Sequence, residues 1–283
     1  MSGAFTVACV QLTSGPEVEP NIAAAAGMIR RAKAAGAEFI LTPETTDLIA
    51  SRSLALERLR PEVEHYGLAT LRDLAAELGI WLLAGSLLVR LDDNQAANRS
   101  FLIDPAGNIT AHYDKIHMFD VDIPDGQTYR ESAIYRPGDC AVVADLPWGR
   151  LGMSVCYDLR FPYLYRSLAQ ASAHFLSVPS AFTRLTGQAH WHVLVRARAI
   201  ETGCFVFAPA QCGEHAGGRQ TYGHSLVVTP WGEVLADAGE MPGVVIAGID
   251  PAKVGEARGM VPALNHDRAF KTRLHAVLRQ AGE

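Results

Sequence analysis

Apolar and amphipathic segments alternate through the first third of the chain. Short, nearly continuous apolar runs predict buried strands, and longer runs with helical periodicity predict helices. Asn21 is the expected N-cap of the first helix, and Gly36 and Gly79 are expected to follow the ends of the two helices. The predicted order is β-α-β-α-β, in the segments Phe5 to Leu12, Asn21 to Ala35, Glu38 to Thr42, Glu62 to Leu78 and Ile80 to Val89. This order predicts an α/β fold in which helices cover a sheet.

The middle of the chain adds hairpins to this alternating order. Pairs of strand-like segments flank each of three turns, Asp104 to Asn108, Pro147 to Arg150 and Pro230 to Gly232. Antiparallel hairpins among β-α units indicate mixed sheets rather than purely parallel ones. Further helices are predicted over Tyr163 to Ala171 and His190 to Thr202. Because no repeat or linker is evident, we expect one domain over residues 1–283 with a C-terminal tail from about residue 262.

Composition and charge narrow the class of protein. Hydrophobic residues make up 49% of the chain, which is ordinary for a globular protein, and charged residues make up 19%, below the usual quarter. The net charge of −5 argues against a nucleic-acid partner. The N-terminus has no basic signal-peptide region, and the longest nearly apolar stretch, Ile80 to Val89, is too short to cross a membrane. The five cysteines include no Cys-x-x-Cys pair. We therefore expect a cytoplasmic protein with no membrane partner, in which one thiol is available to react.

Cys156 is the candidate nucleophile among these thiols. It ends the apolar run Leu151 to Cys156 and precedes Tyr157 to Pro162, at a predicted strand-to-helix corner. Such a corner lifts a side chain out of a sheet and turns the following backbone N–H groups toward it, as an oxyanion hole requires. The alternative is a buried, unreactive cysteine that packs as a small apolar residue.

Three charged residues are candidates for the same site, although each of them alone is more typical of a surface charge. Glu44 ends a strand-like run, at the sheet edge where α/β proteins place functional side chains. Lys115 follows a predicted hairpin, and Glu131 lies in a long loop. None of the three identifies a site without further context.

Three motifs together resemble the nitrilase, or carbon–nitrogen hydrolase, superfamily. They are Pro43-Glu44, Asp114 to His117 and Cys156 to Pro162, and the similarity extends from about residue 4 to about residue 268. The resemblance implies a four-layer α-β-β-α sandwich of two mixed sheets, usually paired into homodimers. Further segments are similar to the Nit branch, which includes amidases of deaminated glutathione and omega-amidases; they are Pro179 to Thr183, Thr186 to Trp191, Arg196 to Glu201 and Thr221 to Ser225.

The resemblance also implies a role for each candidate residue. Cys156 matches the nucleophile, Glu44 the general base, and Lys115 the cationic partner, while Glu131 matches a second glutamate near the lysine. The sulfur would form a thioester with an amide carbon, and Lys115 with the N–H of Tyr157 would hold the oxyanion. No metal or other cofactor is required, and the His and Cys spacing shows no recognisable zinc pattern. A thiolate beside the two glutamates and one lysine would give a net charge of −2, so we expect a neutral thiol at rest.

The substrate side of the site is predicted from a second group of residues. Arg160 is the candidate anchor for a substrate carboxylate, because a guanidinium group binds carboxylates in a bidentate manner. A structural ion pair at the start of a helix is the alternative for this residue. The remaining pocket residues are expected to be Tyr157, Phe182, Thr183, His190 and Trp191.

The expected substrate is a small-molecule amide. Gln211 to His215, followed by Arg219, is more similar to the amidases of deaminated glutathione than to omega-amidases. This similarity favours cleavage of a 2-oxoglutaramoyl dipeptide to 2-oxoglutarate and cysteinylglycine, with omega-amidase activity on 2-oxoglutaramate as the alternative. His192 departs from the Glu of many relatives, and Asn265 to Arg268 departs from their basic tail.

Two hypotheses lie outside this family. A Cys–His hydrolase would pair Cys156 with His190 or His224. An interaction protein without catalytic activity is the other, since a fold alone does not determine function.

Overall fold

Two six-stranded sheets form the centre of the computed structural model, which describes residues 3–122 and 128–274. Two short two-stranded ribbons accompany them. Within the described residues the strands are β1 Phe5–Gln11, β2 Phe39–Leu41, β3 Trp81–Arg90, β4 Ala96–Ile103, β5 Ile109–Asp114, β6 Asp120–Asp122, β7 Thr128–Arg130, β8 Val142–Leu146, β9 Gly149–Met153, β10 Phe175–Ser177, β11 Phe205–Ala208, β12 Cys212–Glu214, β13 Gln220–Tyr222, β14 Leu226–Val228, β15 Val234–Asp237 and β16 Gly243–Ile249.

Both large sheets are mixed, as the hairpin pattern predicts. The first has the order β16-β1-β2-β3-β4-β5, with β1, β2 and β3 parallel and the other neighbours antiparallel. The second has the order β15-β14-β11-β10-β9-β8, with β9, β10 and β11 parallel. The three predicted turns join β4 to β5, β8 to β9 and β14 to β15, so the three hairpins are confirmed.

Helices cover the outer faces of the two sheets. None of the helices in the described part of the chain combines the length and the apolarity that a membrane crossing needs. The helices in those residues are α1 Val18–Ala34, α2 Arg52–Arg58, α3 Tyr66–Leu78, α4 Pro162–Gln170, α5 Arg184–Thr202 and α6 Ala252–Met260.

The alternation of side chains along β1 explains how the first sheet packs against helices on one face and against the second sheet on the other. Ala8 and Val10 pack into a core with buried residues of α1 and α3. Val7 and Cys9 point to the opposite face and join the core shared with the second sheet. Successive side chains of a strand alternate between faces, so one strand supplies both cores.

Aromatic rings fill the space between the two sheets. The Phe39 ring of β2 meets the Phe207 ring of β11 edge to face, with centroids 6.1 Å apart. On the outer face of the second sheet, a Cβ at Gly152 would lie 3.0 Å from the Cβ of Leu168, so this glycine lets α4 pack closely on β9. The predicted four-layer α-β-β-α sandwich is thereby confirmed.

Two predicted helix starts are wrong. α1 begins at Val18, and Asn21 is therefore not its N-cap. The Asn21 side chain instead bonds the N–H and carbonyl of Gly15 and the carbonyl of Asp47, each at 2.8 Å, because it lies on the buried face beside the preceding loop. α3 begins at Tyr66 rather than Glu62, since Glu62–Glu64 form a separate 3-10 turn.

The longest helix also begins earlier than its pattern predicts. α5 starts at Arg184 with Thr183 as its N-cap, although apolar periodicity is evident only from His190. The added turns carry Gly187, where a Cβ would lie 2.3 Å from the Tyr222 side chain. Contact with β13 therefore stabilises the first turns of α5. No local sequence pattern predicts these turns.

Candidate active site

Cys156 lies where the second sheet ends and a 3-10 turn begins. β9 ends at Met153, so the predicted strand through Cys156 is too long, and the turn spans Cys156–Arg160. The Cys156 backbone has a φ of 47°, a left-handed value that a non-glycine residue keeps only where surrounding contacts hold it. Its N–H donates to the carbonyl of Pro179 at 2.9 Å. A strained corner of this kind presents a nucleophile above the sheet edge.

Glu44 follows β2 and is only 2% exposed. Its Oε1 accepts hydrogen bonds from Lys115 Nζ at 2.9 Å and Asn98 Nδ2 at 3.0 Å, and its Oε2 accepts one from the Ala181 N–H at 2.8 Å. Burial by itself raises the pKa of this carboxyl, but the Lys115 charge and hydrogen bonds from Lys115 and the Cys156 thiol bring it below its ordinary value. Glu44 is therefore a carboxylate, and a carboxylate can accept a proton.

Lys115 follows β5 and is as buried as Glu44. Its Nζ contacts Glu131 Oε1 at 3.0 Å and Oε2 at 2.8 Å in addition to Glu44. The Phe119 N–H donates to Glu131 Oε2 at 2.8 Å and orients that carboxylate. Burial lowers the pKa of Lys115, but the charges of Glu131 and Glu44 outweigh burial and raise it well above its ordinary value. Lys115 is therefore an ammonium held between two carboxylates.

The Cys156 thiol is the fourth member of this cluster. Burial and the negative charge of Glu44 raise its pKa well above the ordinary value, although the Lys115 charge acts in the opposite direction. With a neutral thiol, Glu44, Glu131 and Lys115 sum to −1, whereas a thiolate would add a third negative charge in a buried site. The raised pKa of Cys156 therefore favours a neutral thiol in the resting site.

Asp158 holds the turn around Cys156 in place, and the sequence reasoning did not assign it a role. Its buried carboxylate accepts hydrogen bonds from Tyr113 Oη at 2.7 Å, the Val155 N–H at 2.8 Å and the His117 N–H at 3.1 Å, and it contacts His117 Nδ1 at 2.6 Å. Asp158 thus joins the turn of the second sheet to the segment after β5 that carries Lys115. Its position inside the Cys156 to Pro162 motif is the signal that would have found it.

Arg160 lies beside three of the predicted pocket residues. Its guanidinium carbon is 5.2 Å from the centroid of the Phe182 ring and 6.0 Å from that of the Tyr157 ring. Its Nη1 and Nη2 each lie 3.4 Å from His190 Nδ1. Among residues 3–122 and 128–274, the contacts of the Arg160 guanidinium group are with His190 and these two rings, and no carboxylate is among them. The guanidinium group is therefore half-buried against aromatic rings without an anionic partner from that part of the chain.

The remaining two pocket candidates, Thr183 and Trp191, are both buried. Thr183 is buried and its Oγ1 lies 2.7 Å from Thr186 Oγ1. Trp191 is fully buried, stands 5.2 Å from the Phe182 ring and donates from Nε1 to the His224 carbonyl at 2.8 Å. Trp191 thus packs against Phe182 in the core. His190, by contrast, is exposed.

A cavity of about 650 Å³ opens beside the carboxylates, and Glu44, Asn98, Glu131 and Arg219 are among the residues that line it. Within the described residues, two of its buried polar atoms, Asn98 Oδ1 and Arg219 Nε, lack a hydrogen-bond partner. Arg219 Nη2 donates to the Ala181 carbonyl at 2.9 Å. Unpaired polar atoms in a cavity are suited to a polar ligand or to water. Asn98 carries no sequence signal, because a single asparagine in a strand has many uses.

The chain is similar to known proteins in both sequence and fold. A family model described as carbon-nitrogen hydrolase matches residues 6–259. The deaminated glutathione amidase of Synechocystis sp. (strain PCC 6803 / GT-S) is 40% identical over 269 residues, which cover 93% of this chain and 97% of that protein. The Homo sapiens protein of the same name is 40% identical over 267 residues, covering 93% and 82% of the two chains. The crystal structure of Saccharomyces cerevisiae Nit3, a member of branch 10 of the nitrilase superfamily, superposes with a TM-score of 0.85 at 29% identity and covers 95% of this chain and 98% of that one.

Proposed function

Since the chain belongs to the carbon–nitrogen hydrolase family, we propose that Cys156 attacks an amide carbon and carries the acyl group as a thioester. The single observation that supports this proposal is the buried contact of Glu44, Lys115 and Glu131 around one thiol. Residues from both sheets meet there, although they lie far apart in the sequence. Burying a carboxylate and an ammonium group costs desolvation free energy. Such clusters of buried ionisable groups are frequent at catalytic sites, where they serve the reaction.

Acylation begins with transfer of the thiol proton to Glu44 as the sulfur attacks the amide carbon. The carbonyl oxygen becomes an oxyanion, which the Lys115 ammonium and the Tyr157 N–H stabilise; one such donor is commonly worth about 10²–10³ in rate. The tetrahedral intermediate then collapses, the C–N bond breaks, and Glu44 returns its proton to the departing amine. The products of this half-reaction are the free amine and the Cys156 thioester.

Deacylation uses the same groups in reverse order. Glu44, again a carboxylate, takes a proton from a water molecule that attacks the thioester carbon. Lys115 stabilises the second oxyanion, and collapse releases the carboxylic acid product while the sulfur regains its proton from Glu44. Glu131 takes no proton in this scheme, because its two oxygens hold the Lys115 ammonium in place and in the charged form.

We further propose deaminated glutathione as the substrate, cleaved to 2-oxoglutarate and cysteinylglycine. The names of the bacterial and human relatives support this choice. In such a substrate the 2-oxo acid carboxylate needs a cationic partner, and Arg160 offers a guanidinium group without an anionic partner among the described residues. The alternative within the same chemistry is 2-oxoglutaramate, which shares this carboxylate but lacks the dipeptide.

The contacts of the two candidate histidines disfavour a Cys–His hydrolase. His224 Nδ1 lies 2.8 Å from Asp237 Oδ1, and His190 lies beside Arg160. Glu44 is instead the group whose negative charge, after burial, raises the pKa of the Cys156 thiol. A Cys–His hydrolase would need an imidazole beside the Cys156 thiol.

Turnover of deaminated glutathione, 2-oxoglutaramate and a simple aliphatic amide is the experiment that tests both proposals. We expect the highest kcat/KM for deaminated glutathione, no turnover by a Cys156→Ala variant, and a mass increase on Cys156 when the reaction is quenched with acid. A higher kcat/KM for 2-oxoglutaramate would overturn the substrate proposal alone. Unchanged turnover in Cys156→Ala would overturn the thioester mechanism. No turnover of any of the three substrates, together with no adduct on Cys156, would favour a non-catalytic role.

We propose that the protein forms a homodimer in the cytoplasm. Exposed apolar side chains near the C-terminal end of α5 support the dimer, with Ile200 55%, Trp231 61% and Val261 57% exposed. All five cysteines are free thiols, which suits a reducing compartment. Sedimentation equilibrium tests the dimer: a monomer at micromolar concentration would contradict it.

A further inference from the structure

Two imidazole rings and one carboxylate that have no role in the proposed reaction meet near the surface. His192 belongs to α5, His224 lies in the connection between β13 and β14, and Asp237 ends β15. His192 Nε2 lies 3.0 Å from Asp237 Oδ2, and His224 Nδ1 lies 2.8 Å from Asp237 Oδ1. We propose that these three residues form a binding site for a divalent transition-metal ion such as Zn²⁺.

The separations of the donor atoms suit a single ion. One donor atom from each residue can be chosen so that all of them lie within 4.8 Å of one another. Ligand atoms around tetrahedral zinc lie about 3.3 Å apart, given bonds of about 2.0 Å. Small side-chain rotations therefore suffice to direct His192 Nε2, His224 Nδ1 and one oxygen of Asp237 at a common point.

Neighbouring groups already hold the two rings in place. The Tyr222 ring stacks on His224 with centroids 4.4 Å apart and meets His192 edge to face at 5.9 Å. The His224 backbone has a φ of 54°, and its carbonyl accepts the hydrogen bond from Trp191 Nε1. Such outer contacts orient metal ligands and reduce the entropy that is lost on binding.

The Asp237 carboxylate is fixed and accessible as well. The Gly239 N–H donates to Asp237 Oδ1 at 2.9 Å. The ion pairs of Asp237 with groups in residues 3–122 and 128–274 are those with His192 and His224, so no lysine or arginine there competes for its charge. The side chains of His192 and Asp237 are 33% and 34% exposed, which leaves a path for an ion.

The donor set selects the class of metal. Imidazole nitrogen suits Zn²⁺, Cu²⁺ and Ni²⁺, whereas Mg²⁺ and Ca²⁺ prefer oxygen ligands. On binding, each histidine coordinates through the nitrogen that faces Asp237 and keeps its ring proton on the opposite nitrogen. Three protein ligands leave a fourth position for water. The bound ion would link α5 to both ends of the β14–β15 hairpin region.

Metal titration of the metal-free chain tests this site. The protein is used at full length without an affinity tag, with Cys140→Ala and Cys156→Ala to remove the exposed thiol and the candidate nucleophile, which would also bind zinc. Zn²⁺ binding is measured by calorimetry and Co²⁺ binding by visible absorption. His192→Gln and Asp237→Asn remove single ligands, and His190→Gln, an exposed histidine of the same helix, is the matched control.

We expect one ion per chain, a four-coordinate Co²⁺ spectrum, and a rise in Tm of about 5 °C at a hundredfold excess of Zn²⁺ over its Kd. His192→Gln and Asp237→Asn should each weaken binding by at least about tenfold, and His190→Gln should leave it unchanged. Circular dichroism shows whether each variant is folded before metal is added. The proposal is overturned if no ion binds at millimolar concentration, or if folded His192→Gln and Asp237→Asn variants bind zinc as tightly as the control.

Discussion

Tyr113 Oη donates a 2.7 Å hydrogen bond to Asp158 Oδ2, and this contact joins the first sheet to the turn that carries Cys156. Both residues are almost completely buried. Burial raises the pKa of Tyr113 far above its ordinary value, and the negative charge of Asp158 raises it further. The phenol therefore keeps its proton and donates the hydrogen bond. The two halves of the proposed active site are thus held together by a residue that does not take part in the chemistry.

Replacement of Asp158 by asparagine should strongly destabilise the protein. The carboxylate accepts from Tyr113 Oη and the backbone N–H groups of Val155 and His117, and an amide group cannot accept all of these bonds. Hydrogen bonds to charged groups are worth about 1.5–3 kcal/mol each, so we expect the free energy of unfolding to fall by about 3 kcal/mol or more. Urea denaturation measures this change. The exposed Asp93→Asn is the control, and equal stabilities of the two variants would contradict the prediction.

Glu44→Gln should lower kcat with little change in KM. Glutamine keeps the size of the side chain but cannot accept the thiol proton, and general-base catalysis is commonly worth about 10²–10⁴ in rate. We expect a loss of kcat in that range for the preferred amide substrate. Glu233→Gln, at an exposed position, is the matched control and should retain full activity. A Glu44→Gln enzyme with more than about a tenth of the original kcat would be incompatible with Glu44 as the base.

The alkylation rate of Cys156 should rise steadily with pH. Burial and the Glu44 charge place the pKa of the thiol well above its ordinary value of 9.0, so only a small thiolate fraction exists near neutral pH. Below the pKa that fraction grows about tenfold per pH unit. Iodoacetamide modification is followed by mass spectrometry in a Cys140→Ala background, because Cys140 is exposed. A rate that is flat from acidic to neutral pH would indicate a preformed thiolate and contradict the prediction.

Arg160→Ala should raise KM for substrates that carry a carboxylate and leave a neutral amide unaffected. A charge-assisted pair contributes about 1.5–3 kcal/mol, which corresponds to a KM increase of about 10- to 100-fold. Steady-state kinetics with 2-oxoglutaramate and a neutral aliphatic amide separates the two effects. Arg150→Ala, whose side chain is half-exposed on the β8–β9 hairpin, is the control. An equal loss for both substrates would show that Arg160 only stabilises the turn.

Local signals in the sequence determined much of the fold. Hairpin turns, apolar runs and helix-ending glycines act over a few residues, and the three hairpins form as these signals predict. Gly79, for example, follows α3 with a left-handed φ of 60°, which glycine adopts without strain. Helix starts were less predictable, because Asn21 bonds to a loop and a long α5 depends on contact with Tyr222.

The sequence by itself indicated Glu44, Lys115 and Cys156 as parts of three separate motifs, and Glu131 through the resemblance to carbon–nitrogen hydrolases. Only the tertiary structure decided that they are in contact, because the position of each depends on how two whole sheets pack face to face. The same packing brings Asn98 to Glu44, and His192 and His224 to Asp237, although no spacing in the sequence links them. Contacts between distant segments depend on the combined packing of the core, whereas sequence patterns report only the conformation of each segment.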